Sequence, residues 1–185
     1  MSEFILGINA FHADASACLI RDGAVVAAIA EERLGPRRKH FAGFPALAIR
    51  QVLDEAGIRI GDVSHLAVGH DPRAHLTRKA AYALQNPLRS IRSAVTFLTR
   101  QRQIETLADV LANECGFDRA DCRFEVQHVE HHLAHLASSY WCSPFEEAAG
   151  FTYDASGDFV STAFAACTPS GIDVRQRIFL PDSLG

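Results

Sequence analysis

No apolar run in this 185-residue chain approaches the length of a membrane span. The opening Met1-Ser2-Glu3-Phe4-Ile5-Leu6-Gly7 has too short an apolar stretch and no basic leader for a secretory signal, so the expected compartment is the cytoplasm. Cysteine is scarce and unpatterned. Cys18, Cys115, Cys122, Cys142 and Cys167 are odd in number and include no CxxC pair, which argues against a disulfide framework or a zinc ribbon and for reduced, mostly buried thiols. A zinc-protease motif is also missing, because His131 is followed by His132 where that chemistry needs a glutamate base. An excess of positive charge is lacking too: the net charge of -4 argues against a general nucleic-acid binder.

What is present is an ordinary globular composition, 48% hydrophobic and 22% charged, in a chain long enough for one substantial core. Charge is unevenly spread. From residue 71 to 105, seven bases (Arg73, Arg78, Lys79, Arg89, Arg92, Arg100, Arg102) face only Asp71 and Glu105, whereas beyond residue 105 twelve acids outnumber four bases. No aromatic stacking pattern accompanies the basic block, so it reads as a solvated helical face or a homo-oligomer interface in preference to an RNA contact.

Residues 4–9 and 15–20 read as strands, and Arg21-Asp22-Gly23 is a hairpin signal leading into a third strand at 24–30. Pro45 opens an amphipathic helix over about 45–56, with Leu47, Ile49, Val52, Leu53 and Ala56 apolar and Gly57 as its stop. A strand is expected at 63–68, helices at 73–84 and 88–115, and a strand at 123–127 running into a histidine-rich helix. The pattern then begins again: strands at 148–153 and 159–167 flank Asp154-Ala155-Ser156-Gly157-Asp158, and a third follows Thr168-Pro169-Ser170-Gly171. Asp-Ala-Ser occurs at 14–16 and at 154–156, each between the first two strands of a meander, which suggests two related halves. The expected fold is α/β, with residues 1–145 as a first half-domain carrying a mixed sheet and 146–185 as the opening meander of a duplicated second half.

Four of the nine histidines fall within His128-Val129-Glu130-His131-His132-Leu133-Ala134-His135. On a helix, His131 and His135 share one face at metal-ligand spacing, and Asp154, at a strand-to-turn junction soon after, is a candidate third ligand. Two histidines and one carboxylate with open positions suit Fe(II) or Zn(II). The alternative is that these imidazoles cap the helix or hydrogen-bond within the domain. Gly7-Ile8-Asn9 followed by His12, Asp14 and Ser16 places small and polar residues in a turn suited to an anion, or to a loop satisfying its own backbone; Ser156-Gly157-Asp158 has the same two readings. Glu31-Glu32-Arg33 ends the third strand, where a buried Glu-Arg pair would be purely structural. Lys39, in the loop Pro36-Arg37-Arg38-Lys39-His40, is able to reach an anionic substrate, or to lie in a surface charge cluster.

Three segments taken together, GINAFHADASACLIRDGAVVAAIAEER (7–33), RRKHFAGFP (37–45) and HHLAHLASSYWCSPFEEAAGFTYDASGDFVST (131–162), resemble one family. It is the N-terminal domain of the O-carbamoyltransferases of nodulation-factor and antibiotic biosynthesis. These proteins are similar in fold to the ribonuclease H-like actin, sugar-kinase and heat-shock-chaperone ATPases, and more closely to the proteins that transfer a threonylcarbamoyl group to tRNA. The resemblance implies that His131, His135 and Asp154 bind a metal, typically iron, that engages a nucleotide phosphate. It maps His12 and Asp14 to an HxD motif and Lys39 to a loop lysine, both contacting carbamoyl-adenylate and the acceptor, and Ser156 and Gly157 to the phosphate loop. Ala155 departs from that pattern, standing where the loop usually has glycine.

What the resemblance implies in function is transfer of a carbamoyl group, from carbamoyl-adenylate made from carbamoyl phosphate and ATP, to a hydroxyl of a small molecule or sugar. A C-terminal adenylate-forming domain would be a partner, and the chain is expected to be incomplete by itself. The rival readings are a metal-dependent hydrolase using the same three ligands, and a non-catalytic nucleotide-binding fragment.

Overall fold

The computed structural model describes residues 2–11, 14–35, 39–87 and 107–183. They fall into two compact units, one built from the chain up to Gly69 and from Leu107 to His128, the other from His70 to Pro87 and from Val129 onward. Among the described residues no helix is long and apolar enough to cross a membrane.

In the first unit β1 (Phe4–Asn9), β2 (Ser16–Arg21) and β3 (Ala24–Ala30) form an antiparallel meander. The β2–β3 turn is Asp22-Gly23, both at positive φ (51° and 83°), which is the geometry whose twist matches that of the flanking strands. Next come helix α1 (Ala46–Ala56), strand β4 (His65–Val68), helix α2 (Leu76–Gln85, in the second unit), helix α3 (Leu107–Cys115) and strand β5 (Glu125–His128). The strands β4 and β5 run parallel to β1, giving a mixed five-stranded sheet in the order β3-β2-β1-β4-β5. This is the α/β layer that the alternation of strand and helix signals predicts.

The alternation also selects the core. Leu6 and Ile8 of β1, Ala17 and Leu19 of β2, and Leu66 and Val68 of β4 are buried, and α1 covers them with Ala48, Ile49, Val52 and Leu53. Each fully buried Leu or Ile contributes about 1.5–3 kcal/mol. Pro45 occupies the N-cap of α1, one position earlier than expected, and Gly57 closes the helix. Of the helix expected at 88–115, residues 88–106 lie outside the described residues, as do Arg89, Arg92, Arg100 and Arg102 of the basic block.

Residues Glu31–Arg33 form a short 3-10 turn, and the fully buried Glu31 turns its Oε2 to the Ala48 amide (2.7 Å) in the first turn of α1. A carboxylate there meets a backbone N–H without a partner inside the helix, at the helix's positive end. The exposed Arg33 meets the largely covered Glu32 at 3.7 Å.

The second unit has helix α4 (His131–Trp141) on a second antiparallel meander of β6 (Ala148–Gly157), β7 (Val160–Thr168) and β8 (Gly171–Phe179). Leu136 and Tyr140 of α4 pack on Ala163, Ala165 and Cys167 of β7. The strand β6 extends four residues beyond its expected end, to Gly157, and Asp158-Phe159, both at positive φ, make the two-residue turn into β7.

Candidate metal centre

The register between β6 and β7 sets up the site. Tyr153 pairs with Thr162 and Gly157 with Val160, so three residues, Asp154 to Ser156, stand opposite Ser161 alone. Such a bulge leaves the ladder and re-aims side chains. Asp154 is thereby presented to the first turn of α4. Its Oδ1 accepts from the Ala155 amide (2.6 Å), leaving Oδ2 to face His131.

His131 and His135 lie one helical turn apart, their rings 4.6 Å apart at the centroids. The His131 Nε2 is 2.9 Å from Asp154 Oδ2 and 3.0 Å from His135 Nε2, and His135 Nε2 is 3.9 Å from the same Oδ2. All three donor atoms lie within 4.8 Å of one another. Ligands about 2.1 Å from one ion at cis positions are about 3.0 Å apart, and two of the three edges match that value. Two imidazole nitrogens and a carboxylate oxygen this close together are a donor set that fits a divalent cation once the imidazole nitrogens are unprotonated. Exposure rises from 15% for the His131 side chain to 34% for Asp154 and 51% for His135, which leaves one side open to a further ligand.

Electrostatics agree. Burial works to raise the Asp154 carboxyl, but the His131 hydrogen bond, the Ala155 amide and the two imidazoles outweigh it, and the group sits below the usual aspartate range. Burial, helped by the neighbouring His131, holds His135 below the usual histidine range and so favours the neutral ring a metal requires.

The other histidines of the run have other tasks. His132 is completely buried; its Nε2 faces the Val160 carbonyl at 2.9 Å and must donate to it, so Nδ1 is the acceptor for the Thr152 hydroxyl at 3.3 Å. It is a core residue, the alternative weighed for these imidazoles. His128 ends β5 in the first unit.

Two residues of the β6–β7 turn support His131. A Cβ on Gly157 would lie 1.9 Å from the His131 ring, so glycine makes room for the imidazole. Asp158 accepts from the His131 amide at 2.9 Å. Its carboxyl is also held low: burial works against ionisation, but the His70 hydrogen bond and the Asp71 and His131 amides prevail. The sequence reads Asp158 as part of an anion-binding turn or of a loop satisfying its own backbone, and neither reading makes it a support for His131. The partners of its carboxylate, His70 and the Asp71 and His131 amides, are too distant in the chain to be read locally.

The remaining expected site residues divide between the units. Ser156 is exposed and Gly157 buried at the end of β6. In the first unit His12 lies outside the described residues. Asp14, at φ 62°, meets His40 Nδ1 at 2.7 Å, both side chains being more than half exposed. Lys39 is exposed beside His40, in a loop tied to the β1–β2 loop by Phe11 N–H to Gly43 (3.0 Å) and Ala15 N–H to Phe41 (2.9 Å). The loop thus brings together Asp14 and His40, a partner the motif reading does not assign.

Residues 4–185 match the family described as carbamoyltransferase N-terminus. An uncharacterized Synechocystis protein is 31% identical over 185 residues, covering 98% of this chain and 30% of its own length. The Sinorhizobium fredii nodulation protein NolNO is 33% identical over 179 residues, 96% of this chain and 24% of its own. The chain thus spans less than a third of either relative. Among solved structures, YeaZ from Pseudomonas aeruginosa aligns with 97% of this chain and 67% of its own at 16% identity and a TM-score of 0.45. The Aquifex aeolicus Ppx/GppA phosphatase aligns with 97% of this chain and 52% of its own at 14% identity and a TM-score of 0.37.

Proposed function

The chain belongs to the carbamoyltransferase N-terminus family, and from that premise we propose that it is the acceptor-side region of an O-carbamoyltransferase in which His131, His135 and Asp154 hold a divalent metal, Fe(II) being the first candidate. The observation that carries the reading is the convergence of those three donor atoms, drawn from one helix face and one strand bulge, within 4.8 Å.

The reaction would join a hydroxyl oxygen to the carbonyl carbon of carbamoyl-adenylate while the bond from that carbon to the phosphate oxygen breaks and AMP departs. The donor would be made from carbamoyl phosphate and ATP by an adenylate-forming region such as the relatives' greater length accommodates. A bound divalent ion supplies positive charge for the phosphate of the departing AMP. Within this chain, the resemblance assigns His12 and Asp14 to the carbamoyl group and acceptor, one of them taking the hydroxyl proton. It assigns Lys39 to the leaving phosphate, and Ser156 and Gly157 to the phosphate loop. The 2.7 Å contact between Asp14 and His40 supports this assignment in that it holds the Asp14 carboxylate in a fixed place in the loop.

The test is equilibrium binding of AMP to the purified chain under anaerobic conditions, with and without Fe(II). Binding that requires the ion and is lost in His135→Ala supports the reading. Equal AMP binding by the metal-free chain refutes it.

A further inference from the structure

We propose that Asp158 is the positioning residue for the metal ligand His131, tying the first residue of α4 to the segment beginning at His70; the proposal rests on the metal reading above.

A helix begins with N–H groups that lack partners within it, and in α4 those of His131, His132 and Leu133 are all satisfied by side chains. The N-cap residue Glu130 accepts from His132 (3.1 Å) and Leu133 (3.0 Å) through its side chain, and its carbonyl takes Ala134 (2.9 Å) as the first bond of the helix proper. His131 is the donor that Glu130 does not serve. Asp158 Oδ2 takes it at 2.9 Å and takes the Asp71 amide at 2.8 Å, while Oδ1 pairs with His70 Nδ1. The Asp158 side chain has no solvent exposure, so a carboxylate there persists because His70 and the two backbone amides offset its desolvation.

Asp158 thereby holds the backbone of His131, while the adjoining Gly157 lies against its ring. The same two-residue stretch fixes both where His131 starts and which way its imidazole turns. A carboxylate at the positive end of α4 also gains from the helix dipole, so a neutral side chain in its place weakens the hold even where it keeps the hydrogen bond.

The test uses Co(II) as the probe. The chain is titrated with it as wild type, Asp158→Asn and Asp158→Ala, reading the affinity and the visible d–d bands, with His131 amide hydrogen exchange followed alongside. Asp158→Ala is expected to weaken Co(II) binding about 10- to 100-fold, to shift the bands and to speed exchange at His131. Asp158→Asn, which keeps an acceptor oxygen, should restore most of the affinity. A folded Asp158→Ala chain with wild-type affinity and bands overturns the proposal. Should that variant fail to fold, Asp158→Ser, whose hydroxyl cannot reach all three partners, is judged by the same criterion. A wild-type chain that binds no Co(II) sinks the metal reading and this proposal with it, whereas wild-type binding that every folded variant shares sinks this proposal alone.

Discussion

Replacing Gly157 by alanine adds a single methyl group, and its consequences can be worked from the structure. Gly157 does not have the positive φ that favours glycine, so its backbone tolerates alanine and the whole effect is steric. The new Cβ would lie 1.9 Å from His131 Cδ2, 2.1 Å from Cγ and 2.7 Å from its Cβ. Carbon atoms in contact sit about 3.5–4.0 Å apart, so the ring must retreat by roughly 1.6 Å or more. With the His131 amide held by Asp158, the ring yields by rotating, which draws Nε2 away from Asp154 at 2.9 Å and His135 at 3.0 Å. Overpacking of this kind costs about 1–3 kcal/mol, and a misdirected ligand costs about 10- to 100-fold in metal affinity. Urea unfolding and Co(II) titration measure the two. The decisive control is the double mutant: with His131→Ala the ring is gone, and Gly157→Ala should then cost almost nothing, giving a coupling of about 1–3 kcal/mol. An unchanged cost in both backgrounds, or wild-type metal affinity in Gly157→Ala, refutes the steric argument.

Three further outcomes are expected. Burial pushes the Cys115 thiol up to about 12, whereas Cys142 is exposed, so iodoacetamide at pH 8 should label Cys142 and spare Cys115, as peptide mass spectrometry will report. Truncating the buried carboxylate in Glu31→Ala strands the Ala48 amide at the start of α1 and should cost about 1–3 kcal/mol in urea unfolding, with little change in metal affinity. Thermal stability of the metal-free chain should fall in two windows as pH drops. Burial depresses His75 and His135, so the unfolded chain protonates first and stability declines from about pH 6.5 downward. Asp154 and Asp158 are held low against the opposing pull of burial, so their contribution, complete above about pH 4, disappears as pH falls through their depressed values. A melting temperature flat from pH 7 to 3 contradicts both parts.

Much of the fold is legible because its signals are local. Asp22-Gly23, the alternation in β1 and β2, and the apolar face ended by Gly57 all act over a few residues, and each lies where it was expected. The ligand pair was legible for the same reason, since helical spacing alone puts His131 and His135 on one face. What separates them from His132 is not local: Val160 and Thr152, which claim the His132 ring, are 28 and 20 residues away. Asp154 was found as a turn residue, but what aims it is a bulge, and β6 runs on past the point where the Asp-Ala-Ser-Gly-Asp composition suggested a loop. Asp158 was missed for the same reason more strongly. Its partners lie 27 and 87 residues away along the chain, and only the folded unit brings them to one carboxylate. The contact of Glu31 with the Ala48 amide is equally non-local, since 17 residues separate the two.

The account rests on one ion held by His131, His135 and Asp154, and metal stoichiometry tests it most directly. The purified chain and the variants His135→Ala and Asp154→Ala are loaded with Fe(II) anaerobically, desalted, and analysed by inductively coupled plasma mass spectrometry, with circular dichroism confirming that each is folded. The prediction is one ion per wild-type chain and loss of that ion in both variants. Full metal retention by either folded variant would contradict it.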